Sequence, residues 1–255
     1  HRAQIIDINM GCPAKKVCNK WAGSALMQDE NLAMQIVQAV VNAAMPYEVP
    51  VTLKMRTGWR ADQRNVVSLA KQAESAGVQM VTVHGRTREQ GYSGFAEYDT
   101  IALVKAALTI PVVANGDIDS PQKAKQVLTL TGADAVMIGR AAQGRPWIFR
   151  EVAHYLSHGS ELASPLVAEV KRLLLHHLQD HYSLYGKYLG VRSARKHIAW
   201  YTHGLPNALA FRKSMNVIDD CDLQLLAVAN YFDSLAQLSD RLEPIQHTSV
   251  LETST

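Results

Sequence analysis

Five short apolar runs, at residues 4–9, 51–56, 78–84, 111–115 and 134–138, alternate with amphipathic stretches at about 31–44, 62–75, 98–107 and 120–130. No other feature constrains the fold as much, because strands alternating with helices build right-handed βαβ units around a parallel sheet. Asp62 and Ser120 stand where two of the helices would start, the latter followed by Pro121. Gly77 and Gly132 stand where helices would end. The polar residues of these runs gather at their carboxyl ends: Asn9, Lys54 with Arg56, Thr82 with His84, Asn115-Gly116-Asp117, and Gly139-Arg140. Both barrels and open α/β sheets bind ligands at that end. Five strands feeding one site favour a (β/α)8 TIM barrel, since an open sheet concentrates its site at one switch point.

A barrel of this kind has eight strands, and its missing units would need roughly 90 further residues at ~30 per unit. The expectation is therefore the last five βα units of an α/β (β/α)8 barrel, with the first three outside this sequence. Such a piece exposes two apolar strand edges. Beyond Arg140 the strand signal stops. Helical spacing marks residues 146–157, 166–185, 191–203, 207–218 and 222–238, with a linker through Gly159, Ser160 and Pro165. The expected domains are a barrel portion at 1–158, an all-α helical bundle at 159–240 and a disordered polar tail at 241–255.

Apolar runs fall short of the ~20 residues of a membrane span, so no membrane partner is expected. The three cysteines, Cys12, Cys18 and Cys221, form neither a CxxC pair nor an even disulfide set. That usage suits a reducing cytoplasm and offers no closed metal site. Charge is segregated. Residues 166–216 carry eight Lys and Arg against two carboxylates, a net +6; residues 217–255 carry one Arg against seven carboxylates, a net −6. A basic segment of this kind points to a polyanion partner.

The carboxyl-end residues carry several possible chemistries. Cys12 lies between Gly11 and Pro13, which fix the backbone around the thiol; alternatively it is a small hydrophobe in a βα turn. Lys54 and Arg56 share a strand face and point the same way. Lys54 could pair with Asp7, form a Schiff base, or hold a cation beside an anionic cofactor ring. His84, among Asn9, Lys54 and Cys12, would donate to a cofactor acceptor. Asn115-Gly116-Asp117 and Gly139-Arg140 occupy the last two βα loops, where barrels place a phosphate, and Arg140 adds a guanidinium.

Asp-Ile-Asn-Met-Gly-Cys-Pro (7–13), Thr-Leu-Lys-Met-Arg-Thr-Gly (52–58), Val-His-Gly-Arg-Thr-Arg (83–88), Ala-Asn-Gly-Asp-Ile (114–118) and Met-Ile-Gly-Arg-Ala (137–141) resemble the successive motifs of bacterial tRNA-dihydrouridine synthases. Residues 141–149 are most similar to their B subgroup, and the likeness runs to about residue 238. It implies an FMN-dependent barrel with a helical tRNA-binding domain, monomeric at full length. In such enzymes NADPH reduces the flavin, which passes a hydride to C6 of a D-loop uridine. Carried over by motif, Cys12 protonates C5, general-acid work that a thiol can do. Lys54 and His84 contact the isoalloxazine, and Asn115, Gly116, Asp117, Gly139 and Arg140 hold the ribityl phosphate. Asn9 and Arg56 face the flavin or the base. Family members also carry an early Pro-Met-Ala-Gly type segment and a Gln at the end of the third strand, both absent here.

Arg192, Arg195 and Lys196, at i, i+3 and i+4 on one helix face with tyrosines nearby, are the expected tRNA phosphate contacts. The target uridine would have to leave its stack. Two readings compete with reductase chemistry: a Schiff-base lyase or aldolase using Lys54, and a non-catalytic tRNA-binding fragment.

Overall fold

The computed structural model describes residues 3–242. In chain order it runs β1 (Ile6–Met10), α1 (Lys15–Cys18), a 3₁₀ turn (Gly23–Gln28), α2 (Glu30–Ala44), β2 (Val51–Arg56), α3 (Val66–Ser75), β3 (Met80–His84), α4 (Asp99–Ala107), β4 (Val112–Asn115), α5 (Pro121–Thr131) and β5 (Ala135–Met137). Four further helices follow: α6 (Ile148–His158), α7 (Val167–Tyr201), α8 (Ala208–Met215) and α9 (Cys221–Ala236). No described helix is long and apolar enough to cross a membrane.

The five strands form one sheet, all parallel, in sequential order β1-β2-β3-β4-β5. Its register explains why the polar residues do not disturb the core. Asn9, Lys54, Thr82, Val113 and Ala135 lie side by side across all five strands. One step along, Arg56, His84, Asn115 and Met137 align across four, and period-two alternation puts both rows on the same face. The opposite face is apolar, with Met10, Leu53, Met55, Val81, Val83, Val112 and Ala114 fully buried. Helices α2 to α5 pack there. Among the described residues β1 and β5 each pair on one side only, and Ile5 beside β1 is exposed.

Local signals account for most helix ends. The Ser120 hydroxyl accepts from Lys123 N at 3.2 Å, with Pro121 in the first turn, and Gly132 closes α5 in the left-handed region. Asp62, expected to cap α3, does not: it pairs with Arg60, and the helix begins after Asn65. The loop between closes on itself. Trp59 N donates to Gln63 O and Gln63 N to Arg60 O, so these residues are unavailable to a helix.

The described residues divide into two compact units, the first ending at Arg140 and the second beginning at Ala141. The expected boundary at 158 is displaced because α6 belongs with the helices. Trp147, just before it, joins the core of Leu174, Leu178, Val191, Ile198, Val228 and Phe232, with its ring 6.2 Å from that of Tyr201. Helix α7 runs through the two stretches expected at 166–185 and 191–203, from Val167 to Tyr201, broken where Gly186 takes φ +74. Arg241 and Leu242 correct the tail: Arg241 bridges Leu166, and Leu242 is buried in the helical core. The rest of the tail expected at 241–255 lies outside the described residues.

Candidate functional site

Cys12 is held by its backbone from both sides. Asn9 Oδ1 accepts from the Gly11 and Cys12 amides, each at 3.0 Å. The Cys12 carbonyl accepts from Ser24 Oγ at 2.8 Å and Ser24 N at 3.1 Å, with Cys18 Sγ at 3.5 Å. The preceding residue must be glycine, since Gly23 has φ +61 and a Cβ there would stand 2.8 Å from the Cys12 carbonyl oxygen. The Cys12 side chain itself is half-exposed. Asn9 thus positions Cys12 through its carbonyl oxygen, and its amide nitrogen makes no hydrogen bond among the described residues.

Arg56 is almost wholly buried and ties two loops together. Its Nε donates to Gly11 O at 2.9 Å, and its Nη1 to Thr87 O at 2.9 Å and Gly91 O at 2.8 Å. Only Nη2 is left to meet a ligand. Lys54 stands beside it with no hydrogen bond among the described residues. Burial, then the Arg56 charge, lower its pKa from the ordinary lysine value, against the pull of Asp7. Burial pushes His84 down to about 3, helped by Arg56, Lys54 and Arg86, so its imidazole is neutral at physiological pH. Its Nδ1 is buried without a partner.

Asp117, expected among the phosphate-site residues, is the hub of the opposite loop. Arg86 donates to both carboxylate oxygens, at 2.9 and 2.6 Å; Ala96 N adds 2.8 Å and Arg140 Nη2 3.0 Å. Burial alone would raise this carboxyl, but the Arg86 and Ala96 hydrogen bonds and the arginine charges hold it below the usual range. With its oxygens so engaged, and negative, Asp117 serves by aiming Arg140. Asn115 likewise uses its amide internally, donating to Met137 O at 2.7 Å across β4 and β5. Gly116 adopts φ +126, where a Cβ would meet Ala96 Cβ at 2.7 Å, and its carbonyl accepts from Tyr98 Oη at 2.9 Å. A Cβ on Gly139 would meet nothing within 4 Å, and the Arg140 side chain beside it is 60% exposed.

Two residues that sequence reasoning passed over complete this site. Arg86 lies inside a quoted motif but shows no sign, in sequence, that its side chain folds under the loop. Tyr92, 60% exposed, sets its ring 4.8 Å from the Arg140 guanidinium, 5.7 Å from that of Arg56 and edge-on to His84 at 6.4 Å.

In the helical unit the three expected phosphate contacts part company. Arg195 turns inward to Asp219 at 2.7 Å and Ile218 O at 3.1 Å. Arg192 and Lys196 stay exposed, the first over Tyr188 at 5.2 Å and the second over Trp200 at 4.8 Å.

A parallel α/β sheet with a thiol, a lysine and a buried arginine gathered at its carboxyl ends has the architecture of α/β enzymes that work at that end of the sheet. The sequence profile described as Dihydrouridine synthase (Dus) matches residues 1–236, and the chain belongs to that family of oxidoreductases. It is 60% identical over 235 residues to tRNA-dihydrouridine synthase B of Xanthomonas axonopodis pv. citri, covering 92% of this chain and 70% of that protein. The protein of the same name from Pseudomonas aeruginosa is 58% identical over 90% of this chain and 68% of its own length. That of Vibrio cholerae is 55% identical over 92% and 72%.

Proposed function

We propose that this chain carries the catalytic end of a flavin-dependent enzyme that reduces a D-loop uridine of tRNA to dihydrouridine. One observation carries the reading: a half-exposed thiol, pinned on both sides of its backbone, stands at the same end of the sheet as Lys54, the His84 ring and the remaining donors of Asn9 and Arg56. The five parallel strands in sequential order, apolar on the helix side and polar on the other, are what the last five strands of a (β/α)8 barrel would present.

The residues fit a flavin mononucleotide. The His84 Nδ1 is a buried polar atom that no group among the described residues satisfies. Lys54 offers an uncommitted ammonium on the same face, and Gly139 leaves open space beside Arg140. Lys54 and His84 would hold the ring. Gly116, Gly139 and Arg140 would hold the phosphate, with Asn115 and Asp117 fixing the loops that present them. The flavin, when bound, supplies the hydride, drawing its electrons from NADPH.

The chain's own groups do the rest. With the flavin bound, the Lys54 ammonium would stabilise negative charge on its ring. Asn9 Nδ2 and Arg56 Nη2 donate to the carbonyl oxygens of the uracil and orient its C5–C6 edge. Cys12 Sγ gives its proton to C5. Because its backbone is locked, little reorganisation is needed to bring the thiol to the base. Arg192 and Lys196 contact tRNA phosphates, and Arg195 acts through Asp219 to shape the helical unit. The three free cysteines suit a reducing cytoplasm.

The test is dihydrouridine formation in tRNA by wild-type chain and by Cys12→Ala, with FMN and NADPH supplied. Loss of the acid should lower the rate by about 10²-fold or more while tRNA affinity stays within twofold. Equal rates would remove Cys12 from the chemistry.

A further inference from the structure

Residues 12–28 leave Cys12 and return to it. Helix α1 and a turn carry the chain out, and Gly23 and Ser24 bring it back against the Cys12 carbonyl. At the apex stands Trp21, 59% exposed, with φ +51. Bulky residues rarely adopt that left-handed backbone, so the turn holds the indole out at a cost in strain. The turn is fixed, since Trp21 N donates to Cys18 O at 3.0 Å and Lys20 N to Val17 O at 3.0 Å. Trp21 lies two residues from Gly23, so its Cα is within about 7.6 Å of a residue that touches Cys12.

Charge in the segment is of one sign. Lys15, Lys16 and Lys20 are exposed, none forms an ion pair among the described residues, and no acidic residue occurs from 12 to 28. The next carboxylates are committed elsewhere: Asp29 caps α2 through Leu32 N, and Glu30 accepts from Asn65, Ser68 and Gln72.

We propose that this loop is an RNA wedge: the Trp21 indole stacks on a base next to the target uridine, while Lys15, Lys16 and Lys20 meet the flanking phosphates. The inference rests on the proposed function. A uridine that leaves its stack to reach Cys12 strips its neighbours of a stacking partner, and an exposed indole carried on the loop that packs against Cys12 replaces it. Three unpaired ammonium groups beside it match the charge of the backbone that must pass.

Binding of two RNA probes by the full chain tests this: a stem-loop with an unpaired uridine in its loop, and a fully paired duplex of equal length. Trp21→Gly also relieves the strained backbone. It should weaken stem-loop binding about tenfold, leave duplex binding within twofold and not lower the thermal midpoint. Trp21→Phe should recover most of the loss. Lys15→Gln with Lys20→Gln should flatten the salt dependence of stem-loop binding. Unchanged stem-loop affinity in Trp21→Gly, equal losses on both probes, or a loss that tracks a lower midpoint would overturn the wedge, as would a wild-type chain that binds neither probe. A wild-type chain that binds the stem-loop through Trp21 yet forms no dihydrouridine would instead count against the proposed function alone.

Discussion

Replacing Asp117 by Asn probes the hub of the site. The carboxylate takes two hydrogen bonds from Arg86, one from Ala96 N and one from Arg140, while the Arg86 side chain is only 2% exposed. Asparagine keeps the shape but removes the charge, and its amide nitrogen must face either the Ala96 N–H or an Arg86 N–H. Leaving a buried guanidinium without its counter-charge costs about 3–5 kcal/mol. Arg86 retains Ser93 O at 3.2 Å and Gly94 O at 2.6 Å as acceptors, which places the loss near ~3 kcal/mol. At about 2–4 °C per kcal/mol, the midpoint of the α/β unit should fall by roughly 6–12 °C. Thermal unfolding by circular dichroism, with hydrogen exchange at the β3 and β4 amides to assign the transition, measures it. The Asp117 pKa is lowered on folding, so the wild-type advantage is complete above about pH 4 and fades as the pH falls further. A midpoint within 2 °C of wild type at pH 7 would refute the hub, and so would a loss that does not shrink in acid.

Three other outcomes follow from the geometry. Asn9→Asp keeps the acceptor that fixes Gly11 and Cys12 but loses the Nδ2 donor, so stability should hold within about 1 kcal/mol while turnover drops at least tenfold; Asn9→Ala should lose both, and equal behaviour of the two variants would refute the division of roles. Gly116→Ala puts a Cβ against Ala96 at φ +126 and should destabilise the α/β unit by about 1–3 kcal/mol in urea unfolding; a neutral result would mean the loop relaxes freely. The His84 ring signals should not move between pH 5 and 8 by NMR, because its folded pKa is about 3; its burial as the neutral form favours folding fully above the unfolded value near 6.5 and progressively less below it, and a titration near 6.5 would refute its burial beside three cations.

The strands were legible because their signal is local. Each of the five apolar runs contains its strand apart from the last residue of β1, and the clustering of polar residues at carboxyl ends became a row on one face once the register was known. What stayed illegible depends on partners far along the chain. Arg195 looks like its neighbours Arg192 and Lys196 until Asp219, 24 residues on, draws it inward. The tie from Asp117 to Arg86, 31 residues earlier, which takes both its oxygens, has no local sign either. Helix α1 and the Gly23–Gln28 turn are too short to carry a period, so the loop that pins Cys12 gave no sign of itself. The α6 boundary was misplaced because the linker at Gly159 is the stronger local signal, whereas Trp147 chooses its core by packing.

The most direct test of the account is a titration of the purified chain with FMN, followed by the visible absorption of the flavin, for wild type and for Lys54→Met. The account predicts a perturbed, saturable flavin spectrum with the wild-type chain, bleached on adding NADPH, and binding weakened at least tenfold by loss of the ammonium. A flavin spectrum that the wild-type chain leaves unaltered, or that Lys54→Met binds equally well, would contradict the assignment of the polar sheet face to the cofactor.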